Sequence, residues 1–224
     1  MEQDKLYITF IRHGQTPNNK EGRFCGRTDY LLTEEGKAFI HDLVQAHPHR
    51  KPDHIYCSPA TRCLETAALS YPNTTDIREI VMDIQEFNFG IFEARLSSEM
   101  WADPRYADAF DRMDPAFGFP GGEKIGECRD RGVRAVHAII ADAFEKGYRE
   151  IAIITHSLIM QQMFGVMMTP EEFGHLPYMI PNGMGVRMYT TPEIAASDTP
   201  LKYLSIAPEG AEIPEEKENP YMRK

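Results

Sequence analysis

Leu6-Tyr7-Ile8-Thr9-Phe10-Ile11, running into Arg12-His13-Gly14, is the stretch whose reading decides the fold. The run is rich in β-branched and aromatic side chains and stops at polar residues, the pattern of a buried strand that enters a loop. A similar passage lies far along the chain. Ile151 to Thr155, the most apolar strand of the sequence, runs directly into His156-Ser157 and a helix reaching about Met168.

Between and beyond these two strands the pattern alternates. Thr33-Glu34-Glu35-Gly36 predicts a helix start, with Thr33 as N-cap, two acids in the first turn and Phe39, Ile40, Leu43 and Val44 at helical spacing. His54 to Cys57 predicts a short strand, ending at Ser58-Pro59 before a helix from about Ala60 with Arg62 in its first turn. Ile77 to Met82 is extended. From Ile125 to Phe144, Val133, Val136, Ile140 and Phe144 mark one face of a long helix that stops at Gly147. Later strands are expected at Val186 to Thr190 and Lys202 to Ile206.

Strands alternating with helices predict a three-layer α/β/α fold around a mostly parallel, mixed sheet of about six strands. One domain is expected over residues 1–206. The stretch from about 87 to 120 breaks the alternation and, with Phe87, Phe89, Phe92, Trp101, Phe110 and Phe119, reads as a helical cap insertion. Residues 207–224 are polar and acidic and read as a loosely held tail.

The chain has 224 residues, 42% hydrophobic and 26% charged, enough to build a full core without staples. Its 24 Lys and Arg against 34 Asp and Glu give a net charge of −10, which disfavours broad binding to nucleic acid or anionic lipid. The apolar run at 6–11 is too short for a signal-peptide core or a membrane span, so a cytoplasmic protein is expected. Cys25, Cys57, Cys63 and Cys128 form no Cys-x-x-Cys pair and read as reduced thiols. His47-Pro48-His49, two histidines in a polar loop without a third ligand, reads as solvated, and Met160, Met163, Met167 and Met168 read as core filler.

Ligands of open α/β sheets bind beyond the carboxyl ends of the strands. Arg12-His13, Arg62 and His156 all fall there. With the helix start at Ser157 they make a pocket suited to a dianionic phosphoryl group, through guanidinium contacts and backbone N–H groups.

Arg12-His13-Gly14-Gln15-Thr16-Pro17-Asn18-Asn19, continued by Gly22-Arg23-Phe24-Cys25-Gly26-Arg27-Thr28-Asp29 and Leu32-Thr33-Glu34-Glu35-Gly36, resembles the amino-terminal signature of the histidine phosphatase superfamily, also called phosphoglycerate mutase-like. Further matches follow in family order: Cys57-Ser58-Pro59 with Arg62 and Glu65-Thr66, Glu86 with Phe89-Gly90-Ile91-Phe92-Glu93, Pro120-Gly121-Gly122-Glu123, Thr155-His156 and Asn182-Gly183.

The resemblance implies that His13 is a nucleophile forming a phosphohistidine, which requires a neutral imidazole. It implies that Arg12, Arg62 and His156 surround the phosphate, that Thr16 and Asn19 offer neutral donors, and that Glu86 protonates the leaving alkoxide and then activates water. That dual task needs a raised pKa, which desolvation by Phe87 and Phe89 would supply. No metal or other cofactor is required by the scheme. Where the family usually has glycines after the second histidine, Ser157 and Leu158 follow, so either the loop path differs or Ser157 adds a donor. Ala94 stands where glycine is usual. Cys25 replaces a small polar or amide residue at the phosphate edge.

Each motif has a plainer reading when taken alone: Arg12-His13-Gly14 as an ordinary turn, Arg62 as a surface cation, His156 as a structural histidine, and Asp83, Glu93 or Glu99 in place of Glu86. The ordered set favours a hydrolase for a small-molecule phosphate monoester with a sugar, nucleoside-like or aryl leaving group, similar to α-ribazole phosphatase-like and broad-specificity members. A 2,3-bisphosphoglycerate-dependent phosphoglycerate mutase is the alternative. Against it stand three Arg and six acids in the cap (3 − 6 = −3, leaving Glu86 aside) and the lack of a recognisable lysine-bearing extension. A non-catalytic phospho-ligand module is a third reading, opposed by the retained Glu86. Oligomeric state and physiological substrate are not legible.

Overall fold

The computed structural model describes residues 4–177 and 179–214. Its described residues form one six-stranded mixed sheet: β1 (Leu6–Arg12), β2 (His54–Cys57), β3 (Arg78–Ile80), β4 (Glu150–Thr155), β5 (Gly185–Thr190) and β6 (Lys202–Ala207), in the order β3-β2-β4-β1-β5-β6. The first four run parallel, and β5 and β6 add as antiparallel neighbours. The helices are α1 (Pro17–Glu21), α2 (Glu34–Ala46), α3 (Thr61–Ser70), α4 (Ser97–Trp101), α5 (Pro104–Asp111), α6 (Ile125–Glu145), α7 (Ser157–Met167), α8 (Pro170–Phe173) and α9 (Pro192–Ala195).

Period-two alternation in the central strands sorts the core into two layers. Ile8 and Phe10 of β1 and Ile151 and Ile153 of β4 face α6 and α7 in the larger cluster. Ile11, Ala152 and Ile154 point the other way, against Cys63, Ala67 and Tyr71 of α3. A strand covered on both faces needs apolar residues at successive positions, which is why β1 and β4 read as unbroken apolar runs. Gly185 lets β5 close on β1, since a Cβ there would lie 1.9 Å from the Phe10 carbonyl oxygen.

Register places the site. Arg12 is opposite Thr155, so β1 and β4 end together and the next residues, His13 and His156, leave the sheet side by side. The N-cap at Thr33 forms as its sequence predicts, with its hydroxyl accepting from Gly36 N.

The details differ in four places. Only Arg78–Ile80 of the extended stretch pairs as strand, flanked by single 3-10 turns. The buried seam of α6 runs through Cys128, Arg131, Ala135, Ile139 and Ala143 together with Val136 and Ile140, while Val133 and Phe144 are only half-buried at its edge. His49 is half-buried against Tyr71 rather than solvated, with ring centroids 5.1 Å apart. The expected tail is held at its start, where Ala207 ends β6 and Pro208 is buried; residues 215–224 lie outside the described residues.

Residues 87–120 carry α4 and α5 and are pinned to the loop after α1 by Ser97 N to Gly22 O (2.9 Å), Phe24 N to Arg95 O (2.9 Å) and Ala94 N to Phe24 O (3.1 Å). Phe24 stacks on Phe89 at 4.4 Å, and Phe87, Phe92, Phe110 and Phe119 pack around them within the larger core cluster. Most of the aromatic content of this segment therefore fills its own interior. Among the described residues no helix is long and apolar enough to cross a membrane.

Candidate active site

His13 is buried at the end of β1 and fixed by its backbone: its N donates to Thr155 O (3.0 Å), and its carbonyl accepts from Gly183 N (3.1 Å) and Asn182 Nδ2 (3.0 Å). Nδ1 lies 2.7 Å from the Gly14 carbonyl oxygen. A carbonyl only accepts, so Nδ1 carries the proton and Nε2 keeps its lone pair. Burial, then the charges of Arg62 and Arg12, hold the imidazole pKa well below its usual value, against the smaller opposing effect of the Gly14 carbonyl. The ring is neutral at pH 7.

Arg62 is fully buried in the first turn of α3 and aimed by backbone carbonyls: Nη2 donates to Gly26 O (2.6 Å) and Cys25 O (3.4 Å), and Nη1 to Thr28 O (3.1 Å). Its Nη2 also lies 3.1 Å from His156 Nδ1. A guanidinium only donates, so His156 accepts at Nδ1 and its Nε2–H donates to Ser58 Oγ at 2.8 Å. The His156 ring packs edge-on against His13 at 5.2 Å, and burial followed by Arg62 and His13 depresses its pKa strongly. Arg12 donates from Nη1 to Ile180 O at 2.7 Å.

Glu86 is buried across the same cleft. Its Oε1 accepts from Phe87 N (2.9 Å) and Ile159 N (3.0 Å), and its Oε2 from Leu158 N (3.1 Å). Burial raises the carboxyl pKa, opposed by those three N–H groups and by Arg62. The amino end of α7, which the sequence offers to a phosphate, thus holds the Glu86 carboxylate at two of its N–H groups.

A cleft joins Arg12, His13, Asn19, Cys25, Glu86 and Ser157 to an aromatic wall that includes Phe24, Phe89 and Trp101. Asn19 Oδ1 accepts from Thr16 N (3.0 Å), Thr16 Oγ1 (2.9 Å) and Asn182 Nδ2 (3.3 Å). Thr16 is completely buried as the N-cap of α1, and it borders Asn19 rather than the cleft. Cys25 is a neutral wall residue whose thiol burial pushes further up in pKa. Arg62 and His156 line an adjoining recess that shares Glu86 with the cleft. Among the described residues no group of three or more His, Cys, Asp or Glu is arranged to hold a metal ion.

Four supporting residues carry no role in the sequence reading. Ser58 accepts the Nε2–H of His156 and so holds the ring in place. Glu93 accepts from Gly26 N, Arg27 N, Thr28 N, Thr28 Oγ1 and Phe89 N at 2.9–3.4 Å. Buried Arg131 donates to Asp83 O and Gln85 O (both 2.7 Å), Glu86 O (3.0 Å) and Glu123 Oε1 (2.7 Å), bracing the segment that presents Glu86. Ser58, Glu93 and Glu123 lie within the motifs quoted above. The signal for Arg131 is a cation on the apolar face of α6, three residues after Cys128 and four before Ala135.

A family model described as the histidine phosphatase superfamily (branch 1) matches residues 8–183. Phosphoserine phosphatase 1 of Hydrogenobacter thermophilus is 26% identical over 162 residues, 70% of this chain and 74% of that protein. A Thermus thermophilus structure described as phosphoglycerate mutase superposes with a TM-score of 0.63 at 26% identity, covering 90% of this chain and 98% of its own. A Shigella flexneri structure described as α-ribazole phosphatase gives a TM-score of 0.71 at 20% identity, covering 90% of this chain and 96% of its own, a likeness of fold.

Proposed function

This chain belongs to the histidine phosphatase superfamily, and from that premise we propose that it hydrolyses small-molecule phosphate monoesters through a phosphohistidine formed on His13. The observation that carries the reading is the state of His13: a neutral imidazole with Nδ1–H tied to Gly14 O and Nε2 unprotonated, close to two arginines and sharing a cleft with a buried carboxyl group.

In the first step Nε2 of His13 attacks phosphorus, the ester P–O bond breaks, and Glu86 gives its proton to the departing oxygen. In the second, water attacks the phosphohistidine, its proton passes to the Glu86 carboxylate, the P–N bond breaks and inorganic phosphate leaves. Arg12 and Arg62 offset charge on the phosphoryl oxygens, where positioning and electrostatics supply most of the rate. His156 orients Arg62 and supports the His13 ring, Asn19 and Ser157 offer donors at the cleft, Thr16 positions Asn19, and Cys25 contributes its carbonyl to Arg62 and a neutral wall. The leaving group meets the aromatic side.

The test is turnover of 4-nitrophenyl phosphate in the presence of a chelator by the wild type and by His13→Ala. The variant is expected to lose at least about a thousandfold in kcat, with a phosphohistidine trapped on the wild type by mass spectrometry at neutral or basic pH. Equal rates overturn the assignment. Interconversion of phosphoglycerate isomers without phosphate release would replace it with the mutase reading.

A further inference from the structure

The far end of the cleft carries a carboxylate where recognition of a second acidic group needs a cation, and from it we infer the class of leaving group. We propose that the substrates are phosphate monoesters of amino alcohols, with the protonated amine held by Asp111 and the aromatic surface of Trp101. The inference rests on the hydrolase reading above.

Five ionisable side chains line the cleft among the described residues: Arg12, His13, Cys25, Glu86 and Asp111. The first four surround the phosphoryl position. Asp111 stands apart at the last turn of α5, exposed to solvent on the leaving-group side. Four other acids of the segment are engaged locally: Glu93 by the loop N–H groups, Glu99 by Arg95, Asp103 by Arg105 and Asp114 by Ala116 N. Among the described residues no cation pairs with Asp111. Its sequence neighbour Arg112 is not part of the lining, and Arg129, in the adjoining outer recess, is bonded to Asp130 at 2.8 Å.

Two forces at this end favour a cation. Asp111 attracts it directly. Trp101, half-buried and in edge contact with Phe110 at 5.7 Å between ring centroids, lines the cleft there and supplies an aromatic surface that attracts a cation. A carboxylate in the same place meets the like charge of Asp111.

A series on one aryl scaffold, near-matched in arm length, reads this directly: 4-(2-aminoethyl)phenyl phosphate, 4-propylphenyl phosphate and 4-(carboxymethyl)phenyl phosphate. The wild type is expected to rank them in that order by kcat/KM. Asp111→Asn is expected to reduce the ratio of the ammonium to the propyl substrate about fivefold, and Asp111→Lys to place the carboxylate substrate above the ammonium one. Both substitutions are at an exposed position, and an unchanged melting temperature checks the fold. Hydrolysis of all three substrates with no preference for the ammonium, or a ratio within twofold of wild type in Asp111→Asn, overturns the inference and leaves the hydrolase reading intact. Failure to hydrolyse any of them, with no phosphohistidine formed, removes the hydrolase reading itself.

Discussion

The Glu86 carboxylate is bonded to the first turn of α7, its Oε2 3.1 Å from the Leu158 amide nitrogen. Two opposed influences meet at this contact. The first-turn N–H groups and positive end of the helix favour the ionised form, and burial favours the neutral one. Burial is the larger, so the pKa is raised, while bound N–H groups keep the ionised form accessible. A group that must give a proton in one step and take one in the next is served by such a balance.

A consequence is that the loss on replacing Glu86 depends on the leaving group. Glu86→Gln cannot protonate a departing alkoxide, so an alkyl phosphate is expected to lose about 10²- to 10⁴-fold in kcat/KM, whereas 4-nitrophenyl phosphate, whose phenolate departs unaided, loses much less. In the wild type the sign with pH follows: rising pH through the raised Glu86 pKa removes the acid and lowers kcat/KM for alkyl substrates, and Glu86→Gln flattens that alkaline limb. Equal losses on both substrates would count against proton donation by Glu86.

Glu93 acts at one remove. Its carboxylate collects the N–H groups of Gly26, Arg27 and Thr28, and the carbonyls of Gly26 and Thr28 are two of the oxygens that aim Arg62. The fit is close: a Cβ on Gly26 would lie 2.2 Å from Glu93 Oε1. Glu93→Gln replaces one acceptor by a donor facing donors, and the loop shifts. We expect kcat/KM to fall about tenfold or more, with weaker inhibition by vanadate, because a displaced guanidinium costs most where phosphorus is five-coordinate. Loss of thermal stability with unchanged vanadate affinity would reduce Glu93 to a purely structural latch.

Much of this site was legible in the sequence because its groups sit at strand ends. The apolar runs of β1 and β4 place His13 and His156 at adjacent exits once their parallel register is known, and Ser58-Pro59 before α3 places Arg62. What was not legible depends on tertiary contact. The destination of the α7 N–H groups is decided by a carboxylate 72 residues away in sequence, not by Ser157. Thr16 looked like a ligand donor because it lies beside Asn19 in the motif, yet its hydroxyl closes the α1 cap. The cap aromatics stand out in the sequence, but a segment this short must first fill its own interior, and which of those rings reach the cleft is set by that packing.

Ala94 shows the same limit from the other side. It occupies a left-handed backbone conformation, φ +61°, where its N donates to Phe24 O and its carbonyl accepts from Arg23 Nη1 at 3.1 Å. The chain keeps the turn that glycine favours without the glycine. An alanine there costs about 1–2 kcal/mol in steric strain, partly offset by the smaller entropy loss of alanine on folding. Ala94→Gly is expected to stabilise the protein by roughly 0.5–1 kcal/mol in urea unfolding. A destabilised variant would mean that the turn is not strained.

His49 carries a pH signature separate from catalysis. Burial beside Tyr71 depresses its pKa to about 4. In the unfolded chain the imidazole takes a proton near pH 6.5, in the folded chain only near 4, so the unfolded state binds more protons between those values. Stability contributed by the neutral ring is therefore fully present above about pH 6.5 and is lost as pH falls toward 4, by up to roughly 2–3 kcal/mol. His13 and His156 act in the same direction, since burial depresses both. Replacing His49 by Phe keeps a ring against Tyr71 and removes the titration. The unfolding free energy of His49→Phe should then fall less between pH 7 and pH 5 than that of the wild type, measured by urea titration at both values. Parallel pH dependence in the two proteins would show that His49 is protonated in the folded state as readily as in the unfolded one.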